Sequence, residues 1–112
     1  MPLPIAHMVY DAVAPVPTDA AEVLTRLDCE EFSSIAIYGQ FVLGDLDDVT
    51  VTIEFSYDGD TWYTGQAWTW DATANNRQTI DIVDKYARIS ILGSGVVNDD
   101  SSLIIELNMA PR

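Results

Sequence analysis

Cysteine, histidine and lysine each occur once in this sequence, as Cys29, His7 and Lys85. A lone cysteine excludes an internal disulfide, and among strand-forming neighbours it reads as a buried, inert thiol. One histidine and one cysteine cannot build a Ser-His-Asp or Cys-His arrangement, and they leave zinc short of its usual ligands. Cations are scarce altogether. Five Lys and Arg stand against 18 Asp and Glu, a net charge of −13. Such a chain repels phosphate, which argues against nucleic acid and anionic membrane as partners. No apolar run approaches the roughly 20 residues that span a bilayer. No basic segment leads into an apolar stretch near Met1, so no signal peptide is visible and synthesis in a cytoplasm is expected.

What is present is strand pattern. The 112 residues suffice for one core. Val49, Val51, Ile53 and Phe55 alternate with Thr50, Thr52, Glu54 and Ser56, the period of a half-buried strand. Asp58-Gly59 follows as a hairpin signal, and Trp62 to Trp70 forms the return. Ser34–Phe41, Gln78–Val83, Tyr86–Leu92 and Leu103–Leu107 read as further strands. Gly39 inside the first of these marks a bulge or a close approach. Asp71–Arg77 and Gly93–Ser102 read as polar loops. Between Ala21 and Cys29 two readings compete. Asp19-Ala20-Ala21-Glu22 fits a capping box and a helix. The alternation of Thr25, Leu27 and Cys29 favours a strand.

The count is seven or eight strands, which predicts an all-β fold, an antiparallel β-sandwich of jelly-roll or Ig/fibronectin-III-like type. The expected core is Ile35, Ile37, Val51, Ile53, Phe55, Ile80, Ile82, Ile89, Ile91 and Ile105. Four of the five prolines (Pro2, Pro4, Pro15 and Pro17) fall within residues 1–17. This segment reads as an extended N-terminal arm ahead of a single domain over 18–112, with Ile5 to Tyr10 fitting a short edge strand, and it is open to packing on its own domain or reaching a neighbour. Proline limits the arm's unfolded freedom, so it is expected to contact another chain, with Ile5, Met8, Val9 and Tyr10 as its apolar contacts.

Candidate chemistry is thin. Scattered carboxylates always provide some pair at any given distance, so glycoside hydrolysis draws no support from them, and no catalysis is expected. Asp45-Leu46-Asp47-Asp48, Asp58-Gly59-Asp60 and Asn98-Asp99-Asp100 offer oxygen ligands for calcium. A site would need two of these loops to converge, and none fits an EF-hand. Trp62 is expected in the core. Trp68 and Trp70, on one face among Thr64, Gln66 and Thr69, are candidate anchors for a protein partner or a sugar ring.

Two segments carry a resemblance. Phe32 to Ile37 with Val49 to Trp62, containing Ser56-Tyr57-Asp58-Gly59-Asp60-Thr61-Trp62, resembles the hairpin of phage virion β-sandwich domains. Ile80 to Ile89, with Tyr86-Ala87-Arg88-Ile89, resembles the strand that follows in those domains. Similar hairpins occur in discoidin-like and fibronectin-III-like modules. A small acidic sandwich with an N-terminal arm looks most like a capsid decoration (cement) protein. The resemblance implies a non-enzymatic structural protein on the capsid surface. Its partner would be the major capsid protein or another virion protein, with self-association as a homo-oligomer, often a trimer, and no cofactor. A tail or baseplate accessory domain, or a carbohydrate-binding module, is the alternative.

Overall fold

The computed structural model describes residues 7–95 and 100–112. Nine strands follow one another: β1 (His7–Val9), β2 (Glu22–Val23), β3 (Leu27–Asp28), β4 (Phe32–Val42), β5 (Leu46–Ser56), β6 (Tyr63–Trp70), β7 (Ala74–Asp81), β8 (Tyr86–Gly95) and β9 (Ser102–Pro111). They form two antiparallel sheets, ordered β1-β9-β4-β7 and β2-β8-β5-β6, with β3 also on β8. No helix forms between Thr18 and Cys29. The strand reading of that stretch holds, although it is broken in two. Glu22 faces Ile91 while Leu27 faces Ala87, a shift of one residue along the same partner.

The pairing is that of one long hairpin rolled up. β5 pairs β6 at its tip, β4 pairs β7, β2 and β3 pair β8, and β1 pairs β9. Rolling then adds β4 beside β9 and β5 beside β8. Counting β2 and β3 as one interrupted strand leaves eight. Of the two sandwich types expected, the jelly roll is the one formed.

Alternation builds the core. Ile35, Ile37 and Phe41 of β4 and Leu103, Ile105 and Leu107 of β9 face inward from one sheet. Val49, Val51, Ile53 and Phe55 of β5 and Ala87, Ile89 and Ile91 of β8 face them from the other. Each such β-branched or aromatic side chain contributes on the order of 1.5–3 kcal/mol on burial. Ile80 and Ile82 were expected in this set but are only half-buried. β7 is an edge strand, and its inward row of Asn76, Gln78 and Ile80 lies along the open side of the sandwich. Part of the expected polar loop is strand: Ala74 to Arg77 pairs with Phe41 to Tyr38.

Gly39 is a close approach without a bulge. The six-membered ring of Trp70, reaching across from the other sheet, fills the place of its missing side chain. Trp70 is therefore a core residue, 7% exposed, and the expectation that it anchors a partner is corrected. Its indole N–H has no hydrogen-bond partner among the described residues.

The described part of the arm belongs to its own domain. His7–Val9 pairs with Asn108–Glu106. The Tyr10 amide donates to the Ile105 carbonyl, and Val13 and Leu103 exchange backbone hydrogen bonds. Val16 is fully buried, and its amide donates to Ser101 Oγ. The arm is not a free extension from His7 onward, and its removal strips a strand and a core residue. Ile5 lies outside the described residues.

Candidate interaction surface

The turn between β5 and β6 is longer than a two-residue hairpin, and its own side chains brace it. Asp58 Oδ1 accepts from the amides of Asp60 and Thr61 and from Ser56 Oγ, at 2.8–3.0 Å. Ser56 Oγ accepts from the Gly59 amide. These donors favour the charged carboxylate, which pushes the Asp58 pKa down to about 2. Gly59 takes φ +83°, a conformation open to glycine, and any side chain there would collide with the Arg26 guanidinium. Arg26 donates to the Gly59 carbonyl at 3.2 Å. Sequence therefore fixes this turn through four short-range contacts, and β3's neighbour Arg26 clamps it from the far edge of the sheet.

Around the turn, cations stack on aromatic rings. Arg26 lies 4.7 Å from the Tyr86 ring centre, Lys85 4.7 Å from Tyr57, and Arg88 4.3 Å from Trp62. Arg88 also donates to Glu54 at 2.8 Å across the β5–β8 pair. Tyr63 donates to Asp84 at 2.8 Å, which raises the phenol pKa. Tyr57 and Val83 stand out at 69% and 65% exposure. With Ile82, Lys85 and Arg112, and the acids Glu30 and Asp84, they line a groove of about 530 Å³. Four of the five cations in the sequence, Arg26, Lys85, Arg88 and Arg112, lie at this end. The fifth, Arg77, rests over Tyr38 on the outer face of the other sheet.

Carboxylates stand at both ends: Glu30 and Glu54 pair with Lys85 and Arg88 at the turn end, and a second group lies at the opposite end. Asp45, Asp47 and Asp48 enter β5, Asp71 follows β6, and Asp100 precedes β9. An 11-residue strand separates them from Asp58 and Asp60, a span of roughly 35 Å at 3.3 Å per residue. Those two loops therefore do not converge on a calcium ion. Asn98 and Asp99 lie outside the described residues. Among the described residues no three His, Cys, Asp or Glu side chains are grouped to hold a metal.

The residues expected to bind a partner scatter. Met8 faces inward and Tyr10 is half-buried, its hydroxyl donating to the Thr25 carbonyl. Burial, with the nearby Cys29 thiol, pushes the Tyr10 pKa up to about 12. Val9 is exposed on the outer face of the β1–β9 sheet. Trp68 faces inward and is half-buried against the core, and Trp70 is buried. Trp62, expected in the core, is half-buried beneath Arg88 on the outer face. The exposed or half-buried aromatic side chains at this end are thus Tyr57 and Tyr63, and Trp62 and Tyr86. A signal for this set was present. Tyr86 and Arg88 are two apart on a strand and so share a face, opposite Ser56 and Glu54.

No family model matches this sequence, and no curated protein matches it. Solved structures do. The PBSX exported protein XepA is similar over 96% of this chain, with a TM-score of 0.75 and 13% identity. This chain spans 38% of the length of XepA. A chain of the Bacillus endospore appendages, which form disulfide-linked pili, is similar over 94% of this chain and 89% of its own length, with a TM-score of 0.56 and 12% identity. At these identities the likeness is one of fold.

Proposed function

We propose that this chain is a non-enzymatic structural protein of a virion, a capsid decoration protein that attaches to the phage head through its aromatic–cation end. The observation that carries the proposal is the set of cation-stacked rings at this end, Trp62 with Arg88, Tyr86 with Arg26 and Tyr57 with Lys85. Trp, Tyr and Arg are the residue types that dominate protein–protein hot spots. Here stacking and hydrogen bonds already hold them, so little side-chain freedom is lost on docking. The fold supports this reading by analogy, since jelly rolls build viral capsid domains as well as lectins. The same fold in pilus-forming appendages shows a sandwich of this size serving in an assembly. Disulfide linkage is not open to this folded chain. Cys29 is fully buried, and its thiol pKa is pushed up to about 11 by burial and by Asp28. Attachment would be non-covalent.

The test is sedimentation of the purified chain with heads, tails and intact particles from its source, followed by binding measurements with Trp62→Ala and Tyr57→Ala. Retention on heads, weakened about 30-fold or more in either variant, is expected for hot-spot losses of about 2 kcal/mol. Retention on tails alone, or binding to glycans that Trp62→Ala abolishes, would replace the proposal with the accessory or carbohydrate-binding reading.

A further inference from the structure

We propose that β6 is a self-association edge, on which the β6 of a second copy docks antiparallel about a two-fold axis. This inference is independent of the capsid reading.

The sandwich has four edge positions. β1 has three residues, and β2 and β3 have two each. Short or interrupted edges offer little backbone for another strand to pair with. β7 is long but carries Arg77 and Asp81. β6 differs from all of these. It has eight residues, Tyr63-Thr64-Gly65-Gln66-Ala67-Trp68-Thr69-Trp70, with no Asp, Glu, Lys, Arg, His or Pro. Charged and proline residues are the usual means of blocking an edge, and β6 has neither. In a chain of net charge −13, two copies meet with least repulsion where the formal charge is zero.

The register narrows the site. Ile53 faces Gln66 while Glu54 faces Thr64, so Gly65 is an extra residue that bends the strand. Gln66–Trp70 remains as a regular run. Gln66, Trp68 and Trp70 share the register of inward-facing Ile53, Val51 and Val49, and Ala67 and Thr69 share that of Thr52 and Thr50. Antiparallel partners must present the same face of the sheet. A two-fold axis at Trp68 satisfies this, pairing Gln66 with Trp70, Ala67 with Thr69 and Trp68 with itself. Trp68, half-buried in one copy, then lies beside its symmetry mate. Backbone hydrogen bonds supply the attachment, as in other strand-addition complexes, and the isologous pairing closes at two copies.

Sedimentation equilibrium and light scattering over a concentration series test this, with the intact chain, Ala67→Glu, Ala67→Lys and, as a control edge, Arg77→Glu. The expected result is a monomer–dimer equilibrium weakened at least tenfold by both Ala67 variants and unchanged by Arg77→Glu. Opposite charges at Ala67 with the same effect separate edge blockage from net charge, and circular dichroism checks folding. The dimer should tighten as salt rises and screens the acidic bodies. Amides within Gln66–Trp70 should exchange more slowly at high concentration. A chain that stays monomeric to about 1 mM, corresponding to about 4 kcal/mol of association, overturns the proposal. So does a trimer, or a dimer indifferent to both Ala67 substitutions.

Discussion

Gly39→Ala tests the packing of the sandwich at one atom. An added Cβ would sit 2.4 Å from Trp70 Cζ3 and 2.5 Å from Cη2. Carbon atoms prefer about 3.5–4.0 Å, so the ring must retreat by at least 1 Å or the sheets must part. Leu103 Cδ1, at 3.5 Å, bounds the same space. Overpacking of this kind costs about 1–3 kcal/mol. Replacing glycine with alanine in an extended strand returns about 0.5–1 kcal/mol from the unfolded chain. The net expectation is a loss of about 1–2 kcal/mol. At about 4 °C per kcal/mol for a domain near this size, Tm falls by about 4–8 °C. The cause is isolated by a double-mutant cycle with Trp70→Leu, which shortens the opposing side chain and removes an indole N–H that has no partner among the described residues. In that background Gly39→Ala should cost little, leaving a coupling of about 1–2 kcal/mol. Urea denaturation of the four proteins reads it. An equal cost in both backgrounds, or stabilisation by Gly39→Ala alone, would refute the reasoning.

Three other outcomes follow from the same contacts. Val16→Ala, in the described arm, should cost about 2 kcal/mol by equilibrium denaturation, as expected for a buried side chain truncated in place, and deletion of residues 1–17 should lower the Tm sharply. The Asp58 pKa lies below its ordinary 3.8, at about 2. Its carboxylate therefore supports the turn fully above about pH 4, and that support fades as pH falls through about 2. A carboxyl-carbon NMR titration of Asp58 that inflects near 4 would contradict this, and Asp58→Ala should flatten the acid limb of stability. Cys29, with its pKa at about 11 and no exposed surface, should resist a thiol reagent at pH 8 until denaturant is added. Rapid labelling of the native protein would refute that burial.

Residues whose neighbours in sequence are also their neighbours in pattern were legible. The alternation of Val49 to Phe55, Ile89 and Ile91, or Leu103 to Leu107 follows from a sheet with one face on a core, and the structure keeps each of those assignments. β7 was legible only in its second half. An edge strand held by hydrogen bonds to β4 needs no apolar residues, so Ala74-Asn75-Asn76-Arg77 carries no hydrophobic signal. The tryptophans were misplaced because strand pattern does not say which face meets the core. Trp62 stands in the turn, ahead of the strand and of the extra residue at Gly65, so its side does not follow from that of Trp68 and Trp70. Polar neighbours then suggested exposure for Trp70, although Thr69 simply points the other way. The arm was legible as an edge strand within Ile5 to Tyr10, which His7–Val9 forms, but not in its pairing. Its partner, β9, lies about a hundred residues further on, as His7 beside Asn108 shows, and no local pattern encodes such a pairing.

The rolled hairpin has a consequence for biosynthesis. β9 sits between β1 and β4, and β8 between β5 and the β2–β3 strand. The two strands translated last among those described are thus interior to both sheets. While the ribosome is still making residues 86–111, neither sheet has its centre, and Val49 to Phe55 waits with one side uncovered. Vectorial folding can pair only β5 with β6 and β4 with β7, and the two sheets must consolidate after β9 emerges. Long-range pairing of this kind is slow and leaves apolar strands open to wrong partners. For a nascent chain in that condition, the mutual repulsion supplied by 18 acids keeps neighbouring copies on a polysome apart until the roll can close.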